Sequence, residues 1–409
     1  MAGSQTARKS PAKASAEPPE PNLKRATDLV MKLMAISGKS GNEAGVADFI
    51  TRTLIKAGAS PASIQSDKVF QKTHLPGNAG NLVFKLAGTR RGPRRLLAAH
   101  MDTVPICVGC QPRLKDGIVR SADPSTGLGA DDRAGVAVTL TSALEILRHG
   151  LPHPPLTFCW FVQEEVGLQG ARFLRKSLLG KPRLGFNWDG GSPTKLTVGA
   201  TGGYRLSIRI DGLASHAGGA PERGISAISI AALAIADLQR NGWHGRVQKG
   251  KQSGTSNVGF IQGGEATNVV TDQVTIRAEA RSHNPQFRKR IVREIERAFQ
   301  RAIKEVKNDL GQKGQILFDG RLDYESFVLP ADDPSVRMAE AAIRSIDCDP
   351  LHAVANGGVD ANWLTAHGLP TVTIGCGQSN AHTVKEALDL AHFHTACRIG
   401  LRLATATEG

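Results

Sequence analysis

Cysteine is scarce in this chain. Six cysteines (Cys107, Cys110, Cys159, Cys348, Cys376 and Cys397) in 409 residues are too few for a disulfide framework, and a reducing, cytoplasmic setting is expected. Cys159 in LTFCWFV and Cys376 in TIGCGQ read as small buried thiols. Cys107 and Cys110 form a CVGC pair, but a second CxxC is missing, which weakens a zinc or redox reading. Long hydrophobic runs are also absent. No stretch approaches about 18 uncharged apolar residues, so no membrane span is expected. The opening MAGSQTARKSPAKASAEPPEP has no apolar core of the kind a signal peptide needs. It is small, polar, Pro-rich and basic, and residues 1–22 read as a disordered tail.

What is present fits a soluble globular protein: 40% hydrophobic and 22% charged residues. The length favours two domains. A net charge of +14 favours anionic partners or substrates. The basic residues are spread along the chain, with Arg288, Lys289, Arg290 and Arg293 on one expected helix, and read as a solvated face. None of the usual nucleic-acid modules is visible, so no nucleic-acid partner is expected.

Residues 23–200 alternate short apolar runs with amphipathic helices. RRLLAAH reads as a buried strand ending at His100, and LTFCWFVQEE as another ending at Glu164 and Glu165. Between them, Val136, Leu140, Leu144 and Leu147 recur at helical spacing. Strand, helix, strand in this order implies a mainly parallel sheet covered by helices. The pattern changes over residues 201–328. YRLSIRI, SNVGFIQG, QVTIRAEARS and ILFDGRLDYESF read as strands. A first helix (ISAISIAALAIADLQ) and a second one, striped by Phe287, Ile291, Ile295, Phe299, Ile303, Val306 and Leu310, complete a β-α-β-β-α-β order. That is the order of a small ferredoxin-like α+β domain. The α/β pattern returns over 329–409, so the second domain reads as inserted into the first.

Five contexts carry chemistry. His100 in AAHMDTVP ends a buried strand, where open α/β sheets place ligand sites. Asp102 is placed to accept the second N–H of a metal-bound imidazole. In GLGADDRAG, Asp131 and Asp132 open a helix. An N-cap explains one carboxylate, whereas two flanked by glycines suit a bridge between cations. In FVQEEVG, Glu164 and Glu165 are neighbouring carboxylates at a buried strand end, a costly pair unless one binds a metal and the other handles a proton. Asp189 in FNWDGG and His382 in GCGQSNAHTVKEAL read alone as a turn residue and a surface histidine. Together, His100, Asp132, Glu165, Asp189 and His382 form a two-cation set of imidazoles and carboxylates. Such a set suits zinc, with manganese or cobalt as alternatives. Glu164 is the general-base candidate.

The ordered motifs HMDTVP, GADDRAG, EEVGLQGAR, Asp-Gly-Gly after a strand, SHAGGAPERGISAI, GGVDANWL and AHTVKEAL resemble the peptidase T-type branch of the co-catalytic zinc peptidases. Relatives of that branch include carboxypeptidase G and acetylornithine deacetylase. The resemblance spans about residues 23–400. It implies an α/β catalytic domain with an inserted lid that pairs two subunits into a homodimer. It implies two zinc ions, with Asp132 bridging, His100 and Asp189 on one, and Glu165 and His382 on the other. Asp102 then orients His100, Glu164 is the base, and a cis peptide is expected at Asp132–Arg133. His216 in SHAG is implied to reach the partner's site and stabilise the oxyanion. Asn268 and Arg281 are implied to hold the substrate's carboxylate, a task that suits the planar fork of Arg. One departure is Trp188, which stands before Asp189 where the branch has a shorter aliphatic residue and is expected to reshape that wall.

The expected reaction is hydrolysis of a short peptide with a free carboxylate, as a tripeptide aminopeptidase. The alternatives are a carboxypeptidase or N-acyl amino-acid deacylase of the same family, and a non-catalytic binding protein on the same fold.

Overall fold

The computed structural model describes residues 20–406. Most of the tail read over residues 1–22 lies outside that range. The first helix, Leu23–Ala35, is capped by Asn22, whose side chain accepts the Arg25 N–H.

The larger sheet has nine strands. At its centre Leu156–Phe161, Arg95–His100, Leu184–Trp188 and Thr371–Ile374 run parallel in that spatial order. Antiparallel strands flank them, among them Leu82–Leu86 and Lys195–Ala200. The central strands are buried on both faces, and alternation sorts their side chains between two cores. Leu97, Ala99, Phe158 and Trp160 enter the larger hydrophobic cluster, whereas Leu96, Ala98, Cys159 and Phe161 enter the cluster on the opposite face. The helix Ala130–His149 packs on the larger cluster through Val136, Leu140 and Leu144, all buried, while Leu147 is half-buried. Trp160 donates its indole N–H to Thr139 of that helix at 2.9 Å. Fully burying side chains of this size stabilises by roughly 1.5–3 kcal/mol each, which fixes the strand ends in place.

A second, antiparallel sheet is built wholly from residues 202–324. Its five strands lie in the order Gly245–Lys249, Gln252–Gly263, Gln273–Ser282, Gly202–Asp211 and Gln315–Tyr324. The helices Ala227–Arg240 and Pro285–Glu305 bury one face of it around Ile208, Ile230, Ile276, Ile291 and Phe299. One strand exceeds the sequence expectation. Gly250, at φ 61°, turns Lys249 back onto Gln252, and the extra strand buries only Val247, too little for a hydrophobic pattern to reveal. The second helix ends at Glu305, so Leu310 falls beyond it and is 76% exposed. Arg288 is not on the solvated face: it is buried and ion-paired with Glu325 at 2.7 Å. Lys289, Arg290 and Arg293 are exposed.

A small four-stranded sheet pairs Gln378–Ser379 with Ala387–Asp389, and Ala387–Asp389 with Ile118–Ser121. It carries the loop of His382 back toward the centre of the large sheet. Among the described residues no helix is long and apolar enough to cross a membrane.

Candidate metal centre

All four central parallel strands end at one edge of the sheet, and a polar residue stands at each end. His100 is the last residue of its strand. Glu164 and Glu165 follow Leu156–Phe161, Asp189 follows Leu184–Trp188, and Gln378 follows Thr371–Ile374. The crevice outside the carboxyl ends of such strands is the usual ligand site of an open α/β sheet.

His100 Nε2 lies 3.2 Å from Asp131 Oδ1. His382 Nε2 lies 3.3 Å from Asp131 Oδ2 and 2.9 Å from Glu165 Oε2. Asp131 therefore stands between two imidazoles, one carboxylate oxygen toward each. Two donor groups share it: His100, Asp131 and Glu165, and Asp131, Asp132 and Asp189, each with donor atoms within 4.8 Å of one another.

This geometry corrects the reading of the Asp-Asp pair. The expectation put Asp132 between the metals and a cis peptide after it. The structure has the cis bond at Asp131–Asp132 and gives the position between the histidines to Asp131. Asp132 turns inward, where Oδ2 accepts the His100 N–H at 3.1 Å and Oδ1 accepts the Gly135 N–H at 3.0 Å. Asp131 has φ −80° and ψ 102°, and Asp132 φ −122° and ψ 38°, so neither residue of the pair is helical. Asp131 alone of the pair approaches both histidines, while both carboxylate oxygens of Asp132 are committed to backbone N–H groups.

Asp102 organises the opposite wall. Its Oδ1 is 3.4 Å from His100 Nδ1, which leaves Nε2 toward Asp131. The same carboxylate accepts the Ser40 hydroxyl at 2.7 Å and the backbone N–H groups of Glu164 and Glu165 at 3.0 and 3.2 Å. One buried side chain thus sets the histidine ring and the two glutamates together. Gln378 donates to Asp189 at 3.1 Å.

Asp102, Asp131, Asp132, Glu164, Glu165, Asp189 and Asp360 crowd their carboxyl groups around His100 and His382. Burial pushes Glu165 up to about 7 against the pull of His382. Burial and then Asp131 push Asp189 up to about 6. Glu164 is raised by burial and by Glu165, with His100 opposing. Hydrogen bonds to Asp131 and Glu165 lift His382 to about 10. An excess of buried carboxylates mixed with imidazoles is a donor set that divalent cations such as zinc would neutralise.

Three residues here went unassigned in the sequence. Glu386 accepts the backbone N–H groups of Leu128, Gly129 and Asp131. Asp360 is buried with neither carboxylate oxygen hydrogen-bonded, and burial lifts it to about 8. Tyr324 is buried beside Gly203 and Gly358; a Cβ at either glycine would meet its ring at 2.8 and 2.6 Å. Glu386 and Asp360 lie inside AHTVKEAL and GGVDANWL, so those motifs were the available signal.

Of the remaining expected site residues, Arg281 lies on a strand of the second sheet, and His216 and Asn268 lie in loops between its strands. His216 is exposed, and its Nδ1 accepts the N–H groups of Gly218 and Gly219 at 3.1 and 2.9 Å, leaving Nε2 outward. The Asn268 carbonyl accepts the Ala217 N–H at 2.9 Å, so these two residues are neighbours. Arg281 pairs with Gly203 near the other end of its strand and donates twice to Glu279 at 2.9 Å. The strand from Gln273 to Arg281 spans about 26 Å at roughly 3.3 Å per residue. Within one chain, Asn268 and Arg281 therefore do not meet around one carboxylate.

Trp188 does not shape the crevice. It is fully buried in the main core, and its ring packs toward Gly400. The six cysteines are unbridged. Burial, then Glu386, raises the Cys107 thiol, and burial raises that of Cys110, which keeps both as unreactive thiols.

The comparisons with known proteins agree with this architecture. A Bacillus subtilis protein, YqjE, is 31% identical over 370 residues, covering 90% of this chain and 94% of its own. The crystal structure of a tripeptidase from Staphylococcus aureus superposes with a TM-score of 0.84 at 30% identity, over 95% of this chain and 99% of that one. The aminopeptidase PepT of Bacillus cereus superposes with a TM-score of 0.80 at 31% identity, over 94% and 98%. Residues 96–406 match the model of peptidase family M20/M25/M40. With its parallel strand ends, paired histidines and shared aspartate, the chain belongs to this family of peptidases, in its peptidase T-like branch.

Proposed function

We propose that this protein is a dinuclear metallopeptidase that removes the N-terminal residue from tripeptides and similar short peptides. The observation that carries the reading is Asp131, set between His100 and His382 with one oxygen toward each. In this reading Asp131 would be shared by two divalent cations, zinc by the chemistry of the donors, with His100, Asp189, Glu165 and His382 as the other residues that would hold them. Such a pair polarises a carbonyl and acidifies water.

Glu164 sits beside ligand Glu165, and its backbone N–H is anchored on Asp102. Its carboxylate takes a proton from the attacking water. The water oxygen bonds to the scissile carbonyl carbon, the C–N bond breaks, and the proton passes to the leaving amine. Asp102 keeps the His100 ring in place through Nδ1. Arg281 is assigned to the substrate's carboxylate.

His216 and Asn268 act on the partner subunit's site. Their distance from Arg281 along the sheet supports a site completed by a second copy. Ile228, Leu233 and Ile261 are exposed on the same unit and support pairing through it. In this arrangement His216 Nε2, left free by the Gly218 and Gly219 contacts, donates to the developing oxyanion.

A panel of tripeptides, N-acetyl tripeptides and N-acyl amino acids tests the reading on chelated and then zinc-, cobalt- or manganese-restored protein. Tripeptides are expected to be cleaved only after metal is restored, and their N-acetyl forms left intact. Preferential cleavage of the acylated compounds would replace the aminopeptidase with a carboxypeptidase or deacylase.

A further inference from the structure

The face of the second sheet that its helices leave uncovered borders a cavity of about 590 Å³. Arg205, Arg277 and Arg321 line it, together with Phe260, Glu279 and, from a loop of the larger unit, His74. None of the metal-centre residues lines the cavity; its link to the crevice runs through Asp323, with which Arg205 and Arg321 of the lining both pair. Asp323, on the same sheet, approaches Gly167, three residues past Glu164. Arg281 lies on the same strand face as Glu279 and Arg277, one and two alternations away.

Strand pairing sets these side chains in rungs. Arg321, Arg205 and Glu279 stand abreast across three strands, and Asp319, Ser207 and Arg277 form the next rung. Most of the charges are matched. Arg205 and Arg321 both pair with Asp323, which is buried. Glu279 is taken by Arg281. Among the described residues Arg277 has no carboxylate within ion-pair distance; its guanidinium rests on the Phe260 ring, 3.9 Å from the centroid. On the wall opposite, burial and then Arg321 lower the His74 pKa. An arginine flattened on an aromatic ring keeps its N–H edge free for a planar anion.

We propose that this cavity is a carboxylate-binding subsite of the substrate cleft, with Arg277 as its anchor. The inference rests on the peptidase reading above. Arg277 lies four residues from Arg281, about 13 Å along the strand. An extended peptide covers that span with about four residues. The carboxylate is then either the C-terminus of a peptide longer than a tripeptide or an acidic side chain near that end. In either case the enzyme acts on acidic or longer peptides as well as on tripeptides, and Arg277 sets that preference.

The test compares wild-type protein with Arg277→Gln and Arg277→Lys. The substrates are a neutral tripeptide, a neutral heptapeptide, its C-terminal amide, and that amide with Glu as its last residue. Arg277→Gln is expected to raise KM about tenfold wherever a distal carboxylate is present, the scale of one charge-assisted contact. The kcat values, and both constants for the tripeptide, should stay as in wild type, and Arg277→Lys should recover part of the loss. Dependence on the free C-terminus but not on Glu assigns the first source, and the opposite pattern the second. An equal effect on all four peptides, or none on any, overturns the proposal. Calorimetric binding of the same peptides to Glu164→Gln protein separates the two readings. Arg277-dependent binding without turnover by the wild type would retain the subsite and remove the peptidase function; turnover with Arg277-independent binding would do the reverse.

Discussion

The carboxylate of Glu386 accepts the backbone N–H of Asp131 at 3.0 Å, across 255 residues of sequence. It also accepts the N–H groups of Leu128 and Gly129 at 2.9 and 2.7 Å. One buried side chain thus holds the turn that presents Asp131. Glu386→Gln would turn an amide N–H toward donors already committed to an acceptor. Zinc affinity, followed by chelator competition, is expected to fall about 10- to 100-fold, as for other residues that position ligands. Unchanged affinity would mean that the turn holds its shape without Glu386.

The two aspartates of the pair should separate cleanly. Asp131→Ala is expected to leave a folded protein that retains neither metal, read by elemental analysis. Asp132→Ala deletes the acceptor for two buried N–H groups, those of His100 and Gly135. Each orphaned donor costs about 1–3 kcal/mol, so urea unfolding should show a loss of about 2–6 kcal/mol with metal still bound. The reverse pattern would return the bridging role to Asp132.

Glu164→Gln should keep both metals and lose turnover by about 10²- to 10⁴-fold, the usual scale of a general base. Loss of the metals instead would exchange the roles of Glu164 and Glu165. Mixing Glu164→Gln with His216→Ala subunits should restore part of the activity, because half of the sites in each mixed dimer then have an intact base and an intact partner histidine. Mixed dimers no more active than either parent would argue against a shared site.

Glu43 offers a pH test that needs no metal. Its Oε1 accepts the Gly41 and Gln163 N–H groups at 2.8 and 3.0 Å, while Oε2 is buried without a partner. Burial, and then Asp102, push it up to about 7. A carboxyl whose pKa is raised on folding favours the native state fully below its unfolded value, near pH 4.5. That contribution declines as pH rises toward 7. Glu43→Gln keeps the acceptor and removes the titration. Its stability relative to wild type should therefore grow between pH 5 and pH 8, by up to about 3 kcal/mol. Urea unfolding of the metal-free proteins at both values measures it, and a gap that stays constant with pH would count against the assignment.

Much of the site was legible because it is local in sequence. A run such as RRLLAAH is apolar on both sides, so it reads as a buried strand, and its end marks where a ligand can stand. The same logic located Glu164 and Glu165. The stripe from Phe287 to Phe299 defined a helix because its period survives without neighbours, and it failed at Leu310 because a capped helix stops where the chain turns, not where apolar residues run out. The hairpin strand Gly245–Lys249 left almost no trace, since backbone pairing rather than burial holds it.

The residue types of the centre, their positions at the strand ends and the family to which the chain belongs were determined by the sequence alone. Which of Asp131 and Asp132 stands between the two histidines was decided by the tertiary structure, because His100 and His382 come from distant parts of the chain and only the fold brings them to one carboxylate. The separation of His216 and Asn268 from Arg281 was decided there too. The loops of His216 and Asn268 extend from the end of the sheet where Gln273 pairs with Asp211, and Arg281 lies near the other end; a motif order read along the chain carries no information about that distance.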